Sequence, residues 1–110
     1  MGRTPEGLLP GTLDLLILRV LARESHHGYG IARRLKVVSR DVLDVGESSL
    51  YPALQRLLLN GDVEAEWAPS ENNRRARFYR LTRAGRKRLA AEHASYERMI
   101  TAIGRVLAEA

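Results

Sequence analysis

Residues 46–61 constrain the fold more than any other stretch, because they combine an apolar stripe at helical spacing with a polar opposite face. The stripe predicts an amphipathic helix, since its leucines recur at i, i+4, i+7 and i+8. These are Leu50, Leu54, Leu57 and Leu58. The opposite face offers hydroxyl, amide and guanidinium groups, which pair with base edges and phosphates in a DNA groove. Its members are Ser48, Ser49, Pro52, Gln55 and Arg56. Taken alone, the pattern is equally typical of an ordinary core helix.

Local residues also predict where this helix begins and ends. Ser48 or Ser49 is expected to cap its start, because a side-chain oxygen there accepts an orphan backbone N–H. Pro52 then falls in or next to the first turn, where a missing N–H costs little. Asn60 and Gly61 predict the end, since both tolerate the left-handed conformation common at a helix C-terminus.

Positive charge is concentrated in one segment of the chain. The length of 110 residues suits one domain, and the net charge of +5 suits a polyanionic partner. Residues 69–88 alone hold eight basic side chains against one acid, a balance of +7, so the rest of the chain carries −2. Such segregation favours nucleic acid as the partner over a merely solvated face.

Two further helices are predicted before residue 46. Residues 12–23 keep a wide apolar stripe typical of a central core helix, with Thr12 as the expected cap. Glycines and a serine then predict a turn, and residues 29–40 form the second helix. The adjacent His26 and His27 cannot easily share a metal, so we expect one of them to cap or pack the turn. Two helices joined by a short connector, the second with a polar outer face, predict a helix-turn-helix.

After Gly61 the period changes to two, which predicts a short strand. Its apolar members are Val63, Ala65 and Trp67, alternating with Asp62, Glu64 and Glu66. Residues 69–73 have turn composition, and residues 77–81 return as a second strand with Tyr79 and Leu81 facing inward. A hairpin directly after three helices predicts a winged helix: mainly α with a small β-hairpin.

The hairpin tip is the most basic part of the predicted fold. Its arginines are Arg74, Arg75 and Arg77. A narrow minor groove attracts inserted arginine, although an exposed hairpin can also carry arginine for solubility.

The rest of the chain predicts one long helix from residue 83, with Thr82 as its cap. Its apolar residues are spaced alternately by four and three, which is a seam of the coiled-coil type. They are Leu89, His93, Tyr96, Ile100, Ile103 and Leu107. A helix of about 25 residues is about 38 Å long and outreaches a small core, so the seam needs a cover. A second copy of the chain is the commonest solution, which predicts a homodimer. His93 is expected to pack or set the register, and whether its titration makes the dimer pH-sensitive stays open.

The composition argues against several functional classes. The chain has no cysteine, so it has neither a disulfide nor a thiolate metal site. No nucleophile–base pair, carboxylate dyad, metal-ligand cluster or phosphate-binding glycine loop is visible, so we expect neither an enzyme nor a metal or cofactor. Without a signal pattern or a run of about 18 apolar residues, the expected location is cytoplasmic, with no membrane association.

Several motifs, GTLDLLIL at 11–18, HGYGI at 27–31, SLYPAL at 49–54 and FYRLTRAG at 78–85, resemble those of the PadR family of bacterial transcriptional regulators. The resemblance covers about residues 8–107. The short C-terminal region is similar to the smaller PadR subgroup, which has a single long dimerisation helix.

The resemblance implies a homodimer that binds double-stranded DNA at a palindromic operator, represses a nearby operon and is released by a small aromatic or drug-like ligand. The implied DNA-binding residues are Tyr29, Ser48, Ser49, Tyr51, Gln55, Arg56, Asn73, Arg74, Arg75 and Arg77. Effector-binding residues do not transfer. Trp67 and Tyr96 are the aromatic candidates, and a core position is favoured for Trp67. Asp62 departs from the apolar residue usual in the family, which is expected to shorten the first wing strand.

The predicted organisation is a winged helix DNA-binding domain over residues 1–82, with a leader of residues 1–10, followed by a dimerisation helix over 83–110. The alternative function is a protein-interaction module that uses the same fold without specific DNA readout. The basic wing argues against that alternative.

Overall fold

The structure, a computed structural model, describes residues 11–109, so the predicted leader lies outside the described residues. Four helices and three strands follow in the order α1 (Thr12–Leu21), β1 (His26–His27), α2 (Gly28–Val38), α3 (Glu47–Leu59), β2 (Val63–Pro69), β3 (Arg75–Leu81) and α4 (Arg83–Glu109). The strands form one antiparallel sheet in the order β1-β3-β2. The predicted winged helix is confirmed, with β2 and β3 as the wing.

The core lies where α1, α2, α3 and the root of the wing meet. The predicted leucine stripe of α3 supplies its centre, with Leu50, Leu54 and Leu57 at most 2% exposed. They pack against the apolar side of α1, where Ile17 and Leu18 are fully buried. Each such side chain contributes about 1.5–3 kcal/mol relative to an exposed one, so this cluster fixes where α3 sits.

The N-terminal caps predicted for α1 and for α3 are both wrong. Gly11, with φ +83°, precedes α1, and Thr12 is already its first helical residue. At α3 the extended Gly46 is the cap residue and its carbonyl accepts from the Leu50 N–H at 2.9 Å, so the serines at 48 and 49 fall inside the first turn. Pro52 is the sixth residue of α3 and lies in the helix interior, not in or next to the first turn.

The end of α3 is close to the prediction. Gly61 adopts φ +78°, and the N–H groups of Gly61 and Asp62 bond to the carbonyls of Leu58 and Leu57, which closes a Schellman motif. Asn60 stays right-handed, so only the glycine takes the left-handed conformation.

The turn between α1 and α2 contains a strand that the sequence did not predict. His26 and His27 pair with Tyr79 and Phe78 of β3. The expectation that one histidine caps or packs the turn is confirmed, because His27 Nδ1 accepts the N–H of Gly30 at 2.9 Å and so caps α2. Both helices end two residues before their predicted limits.

The wing is longer than predicted. β3 begins at Arg75 rather than at residue 77, and β2 runs seven residues from Val63, so Asp62 does not shorten it. The inward position of Tyr79 and Leu81 is confirmed. At the tip, Asn73 has φ +63° and its N–H bonds to the carbonyl of Ser70.

Helix α4 is continuous over 27 residues, about 40 Å, and Thr82 caps it as predicted, accepting the N–H of Gly85 at 3.0 Å. Only the first seam residue, Leu89, packs against the core. From His93 onward the seam is exposed within the described residues, and His93 lies 3.3 Å from Glu97. No helix among residues 11–109 is both long and apolar enough to cross a membrane.

Candidate nucleic-acid interface

The exposed face of α3 carries most of the side chains that the sequence selected. Ser48, Tyr51, Pro52 and Gln55 lie on it, because the leucine stripe occupies the opposite side. Ser49 is half-buried at the edge of this face. The face therefore offers a hydroxyl, a phenol and an amide with little net charge, which is the chemistry that reads base edges.

Tyr51 is held in place by the start of α2. A Cβ built on Gly28 would lie 2.7 Å from the Tyr51 hydroxyl, so the ring occupies space that only glycine leaves open. The side chain is 44% exposed, and its partial burial, reinforced by Glu47 and Tyr79, raises the pKa of the phenol above the ordinary 10.0. The hydroxyl therefore stays a hydrogen-bond donor at neutral pH beside the N-terminus of α2.

Arg56 is engaged within the protein. Its Nη2 donates to Asp14 at 2.8 Å, joining the last turn of α3 to the first turn of α1, and this bond raises the pKa of the guanidinium. The Asp14 side chain is only 13% exposed, while that of Arg56 is 56% exposed. One edge of the guanidinium thus anchors α3 while the remainder faces solvent, so its predicted contact with DNA competes with a structural bond.

Trp67 corrects the sequence interpretation most clearly. A core position was favoured, yet the side chain is 58% exposed. The alternation was right, because Trp67 continues the row of Val63 and Ala65 on the same face of β2. The strand extends beyond the core, which ends before residue 67.

The wing and the start of α2 enclose one open cleft of about 880 Å³, here called the wing cleft. Five predicted site residues meet at it: Tyr29, Tyr51, Arg74, Arg75 and Arg77. Trp67 lines the same cleft, and Tyr29 is 69% exposed. Asn73 lies at the adjacent tip, whereas Ser48 lies in a neighbouring hollow between α2 and α3, and Gln55 borders neither.

The charges around the wing cleft differ from those elsewhere in the basic segment. Arg80 pairs with Glu64 and Glu66 on the other face of the wing, and Arg88 pairs with Asp62. The three arginines at 74, 75 and 77 form no ion pair with any carboxylate of residues 11–109. They stay available to an external anion.

Sequence reasoning missed Arg33 as a site residue, although it lines the wing cleft beside Tyr29. The spacing of four residues on α2 places both on one helix face and was the available signal. Within residues 11–109, no three His, Asp or Glu side chains come together as a possible metal site.

Comparison with known proteins points to one family. The model described as the "Transcriptional regulator PadR-like family" matches residues 17–91, more than half of the chain. The fold is similar to that of a transcriptional regulator from Clostridium thermocellum, with a TM-score of 0.79 at 26% identity, covering 86% of this chain and 92% of that one.

Two other solved structures are similar over most of their length. One is a PadR-like transcription factor from Bacteroides fragilis, 28% identical, covering 87% of this chain and 90% of that one with a TM-score of 0.72. The other is a PadR family transcriptional regulator from Eggerthella lenta, 27% identical, covering 91% and 85% with a TM-score of 0.77.

Proposed function

This chain belongs to the PadR-like family of transcriptional regulators, and we propose that within it the protein is a homodimeric repressor that reads a palindromic operator near its own gene. The observation that carries the proposal is the surface shared by the exposed side of α3 and the wing cleft. It combines polar groups suited to reading base edges with three arginines that pair with no carboxylate among residues 11–109.

In this proposal the two parts of the surface have different tasks. Helix α3 enters the major groove and presents Ser48, Ser49, Tyr51 and Gln55 to base edges and nearby phosphates. Tyr29 and the wing residues Asn73, Arg74, Arg75 and Arg77 contact the backbone, which supplies affinity without reading sequence.

The exposed seam of α4 supports the homodimer. Tyr96, Ile100, Ile103 and Leu107 are each at least 36% exposed, although they form one apolar row. A second α4 packed along this row would bury it and place two recognition helices on one DNA duplex. Release of the repressor by a small aromatic or drug-like ligand is a further part of the proposal, which the resemblance suggests.

The DNA test is a fluorescence-anisotropy titration of the protein on the DNA upstream of its own gene, with a scrambled duplex beside it at two salt concentrations. We expect the upstream DNA to bind at least about a thousandfold tighter, with affinity falling steeply as salt rises. Equal, weak binding of both duplexes would favour the protein-interaction alternative.

The dimer test uses two variants on opposite sides of α4. Ile100→Glu places a charge in the seam, and Ala94→Glu places the same charge on the other side of the helix. Sedimentation velocity should show a monomer for Ile100→Glu and a dimer for Ala94→Glu. If both variants are dimers, the apolar seam of α4 is not the dimer interface.

The role of Arg56 needs its own control, because its loss also breaks the bond to Asp14. If Arg56 reads a base, Arg56→Ala weakens operator binding by about 1–3 kcal/mol more than random binding. Asp14→Asn removes the charge partner and keeps the guanidinium. Equal losses for both variants on both duplexes would leave Arg56 with the structural role alone.

A further inference from the structure

We propose that Trp67 is a DNA-contacting residue, packing its indole against a deoxyribose of the strand that runs through the wing cleft between the two grooves. This inference rests on the proposed DNA binding and adds a residue and a binding mode to it.

The first observation is the register of the wing. Val63 faces Leu81, Ala65 faces Tyr79 and Trp67 faces Arg77 across the two strands. The first two pairs close the core, with Val63 and Leu81 buried. The third pair lies on the same face but beyond the core, so the largest apolar side chain of the wing projects into the wing cleft.

The second observation is the cationic setting of the indole. The Arg75 guanidinium carbon lies 5.9 Å from the Trp67 ring centroid, within reach of a cation–π contact, and Arg77 is its direct cross-strand neighbour. Arg77 in turn lies 5.9 Å from the Tyr79 ring. A single exposed aromatic residue is common, but Trp67 lies between two arginines that pair with no carboxylate among residues 11–109. The carboxylate of Glu71 also lines the cleft, but the cleft holds more arginines than acids, so the indole presents a flat apolar surface in a positively charged setting.

The third observation is the opposite wall of the wing cleft. It is formed by Tyr29, Arg33 and Tyr51, at the start of α2 and on the exposed side of α3. When α3 occupies the major groove and the wing tip reaches the adjacent minor groove, the strand that divides these grooves must pass between the two walls. Phosphates would then meet the arginines and tyrosine hydroxyls, and the sugar between two phosphates would meet the indole.

The chain allows a direct test, because Trp67 is its only tryptophan. The whole protein is titrated with the upstream duplex and with a scrambled duplex, while tryptophan emission and acrylamide quenching are recorded. We expect the emission to change and the indole to become protected from acrylamide with both duplexes, since a sugar contact does not depend on sequence.

Affinity is measured in parallel for three variants. Trp67→Ala should weaken binding of both duplexes by about five- to tenfold, the lower part of the range for aromatic stacking, without changing the salt dependence. Trp67→Phe should stay within about threefold of wild type. In Trp67→Ala/Ala68→Trp the indole moves to the other face of β2, beside a separate cleft of about 600 Å³. That variant should bind like Trp67→Ala, and its emission should not respond to DNA.

The outcomes separate this inference from the proposed function. If wild type prefers the upstream duplex while Trp67 emission stays unchanged and Trp67→Ala binds equally well, the inference is overturned and the proposed DNA binding stands. If wild type binds neither duplex, the proposed function is wrong, and the inference that rests on it is overturned with it. A loss confined to the upstream duplex would make Trp67 a base reader and overturn the sugar contact. A response of the indole to a small aromatic compound alone would assign the cleft to an effector.

Discussion

The two ends of the β2–β3 hairpin have the same backbone and opposite chemistry. At the root, Val63 and Leu81 are buried, and Arg88 Nη1 lies 3.0 Å from the buried Asp62 carboxylate. At the tip, Trp67 is 58% exposed. Arg75 beside it is also exposed and pairs with no carboxylate among residues 11–109. The difference teaches that position along a strand, rather than the strand pattern, decides whether a side chain stabilises the fold or meets a partner.

The root also connects two helices. The Thr82 hydroxyl lies 2.7 Å from the carbonyl of Gly61, at the end of α3, while it caps the start of α4. The Thr82 N–H donates to the carbonyl of Asp62 at 3.1 Å. These bonds fix α3 and α4 to one another, so mutations at the root should change stability, whereas mutations at the tip should change the proposed DNA affinity.

The largest expected effect tests the root at Gly85. A Cβ there would lie 2.0 Å from the carbonyl oxygen of Asp62, a backbone atom that cannot move aside cheaply. Gly85→Ala should therefore lower the free energy of unfolding in urea by about 3 kcal/mol or more. Gly104→Ala is the matched control, since nothing lies within 4 Å of its Cβ, and it should stabilise α4 by up to about 1 kcal/mol. Equal stability of the two variants would contradict a tightly packed root.

The second prediction compares the ion pair between Asp62 and Arg88 at the root with the two pairs that Arg80 makes on the outer face of the wing. Asp62→Ala removes the buried carboxylate and leaves Arg88 only its longer, exposed pair with Glu92 at 3.8 Å, so it should cost about 1–3 kcal/mol of unfolding free energy. Arg80→Ala breaks the exposed pairs with Glu64 and Glu66 and should cost less than about 1 kcal/mol. Urea titrations of both variants decide the order. A larger loss for Arg80→Ala would mean that the outer face, not the root, stabilises the wing.

Most of what the sequence predicted correctly follows from short-range rules. The stripe of α3, the alternation of the hairpin and the cap at Thr82 depend on neighbours within a few residues, and all three are confirmed. The caps of α1 and α3 were wrong, because each helix begins directly after a glycine. The two-residue strand β1 is too short to show a period. The bond between Asp14 and Arg56 joins residues 42 positions apart. The close approach of Gly85 to Asp62 depends on how α4 packs against the segment between α3 and β2.

The same dependence on long-range packing explains why Trp67 was wrongly assigned to the core. Alternation gave the correct face of β2, but the depth of the core at that point depends on the packing of α1 and α3, which no local pattern contains. The exposure of a candidate site residue was therefore predictable where it follows from helix periodicity, as for Ser48 and Gln55. It was not predictable where it depends on the size of the core.

The third prediction concerns the tip. Arg74→Ala/Arg75→Ala should weaken binding to operator and random DNA alike and reduce the magnitude of the log–log salt slope by about 2, with unfolding free energy within about 0.5 kcal/mol of wild type. Arg98→Ala/Arg105→Ala removes the same charge from α4 and should leave the slope near that of wild type. Anisotropy titrations over a range of salt test both. Equal slopes for the two variants would mean that net charge, not the wing, sets affinity.

The smallest expected effect belongs to Tyr51, which has both a structural contact and a place in the candidate interface. It packs against Gly28, although it is 44% exposed, and it lines the wing cleft. Burial, with Glu47 and Tyr79, raises its pKa, so the folded state keeps the phenolic proton at a pH where the unfolded chain has lost it. The resulting stability is complete below about pH 10 and is lost as the pH rises through the raised pKa.

Urea unfolding at pH 8, 10 and 11 should therefore show a fall for wild type that is shallower in Tyr51→Phe, which has no phenol to ionise. Tyr29→Phe is the control, because it removes the hydroxyl of a side chain that is 69% exposed and leaves Tyr51 in place, so the part of the fall that Tyr51 causes is retained. If Tyr51→Phe and wild type fall in parallel, packing against Gly28 does not affect the ionisation of Tyr51, and Tyr51 belongs with the exposed residues of the wing cleft.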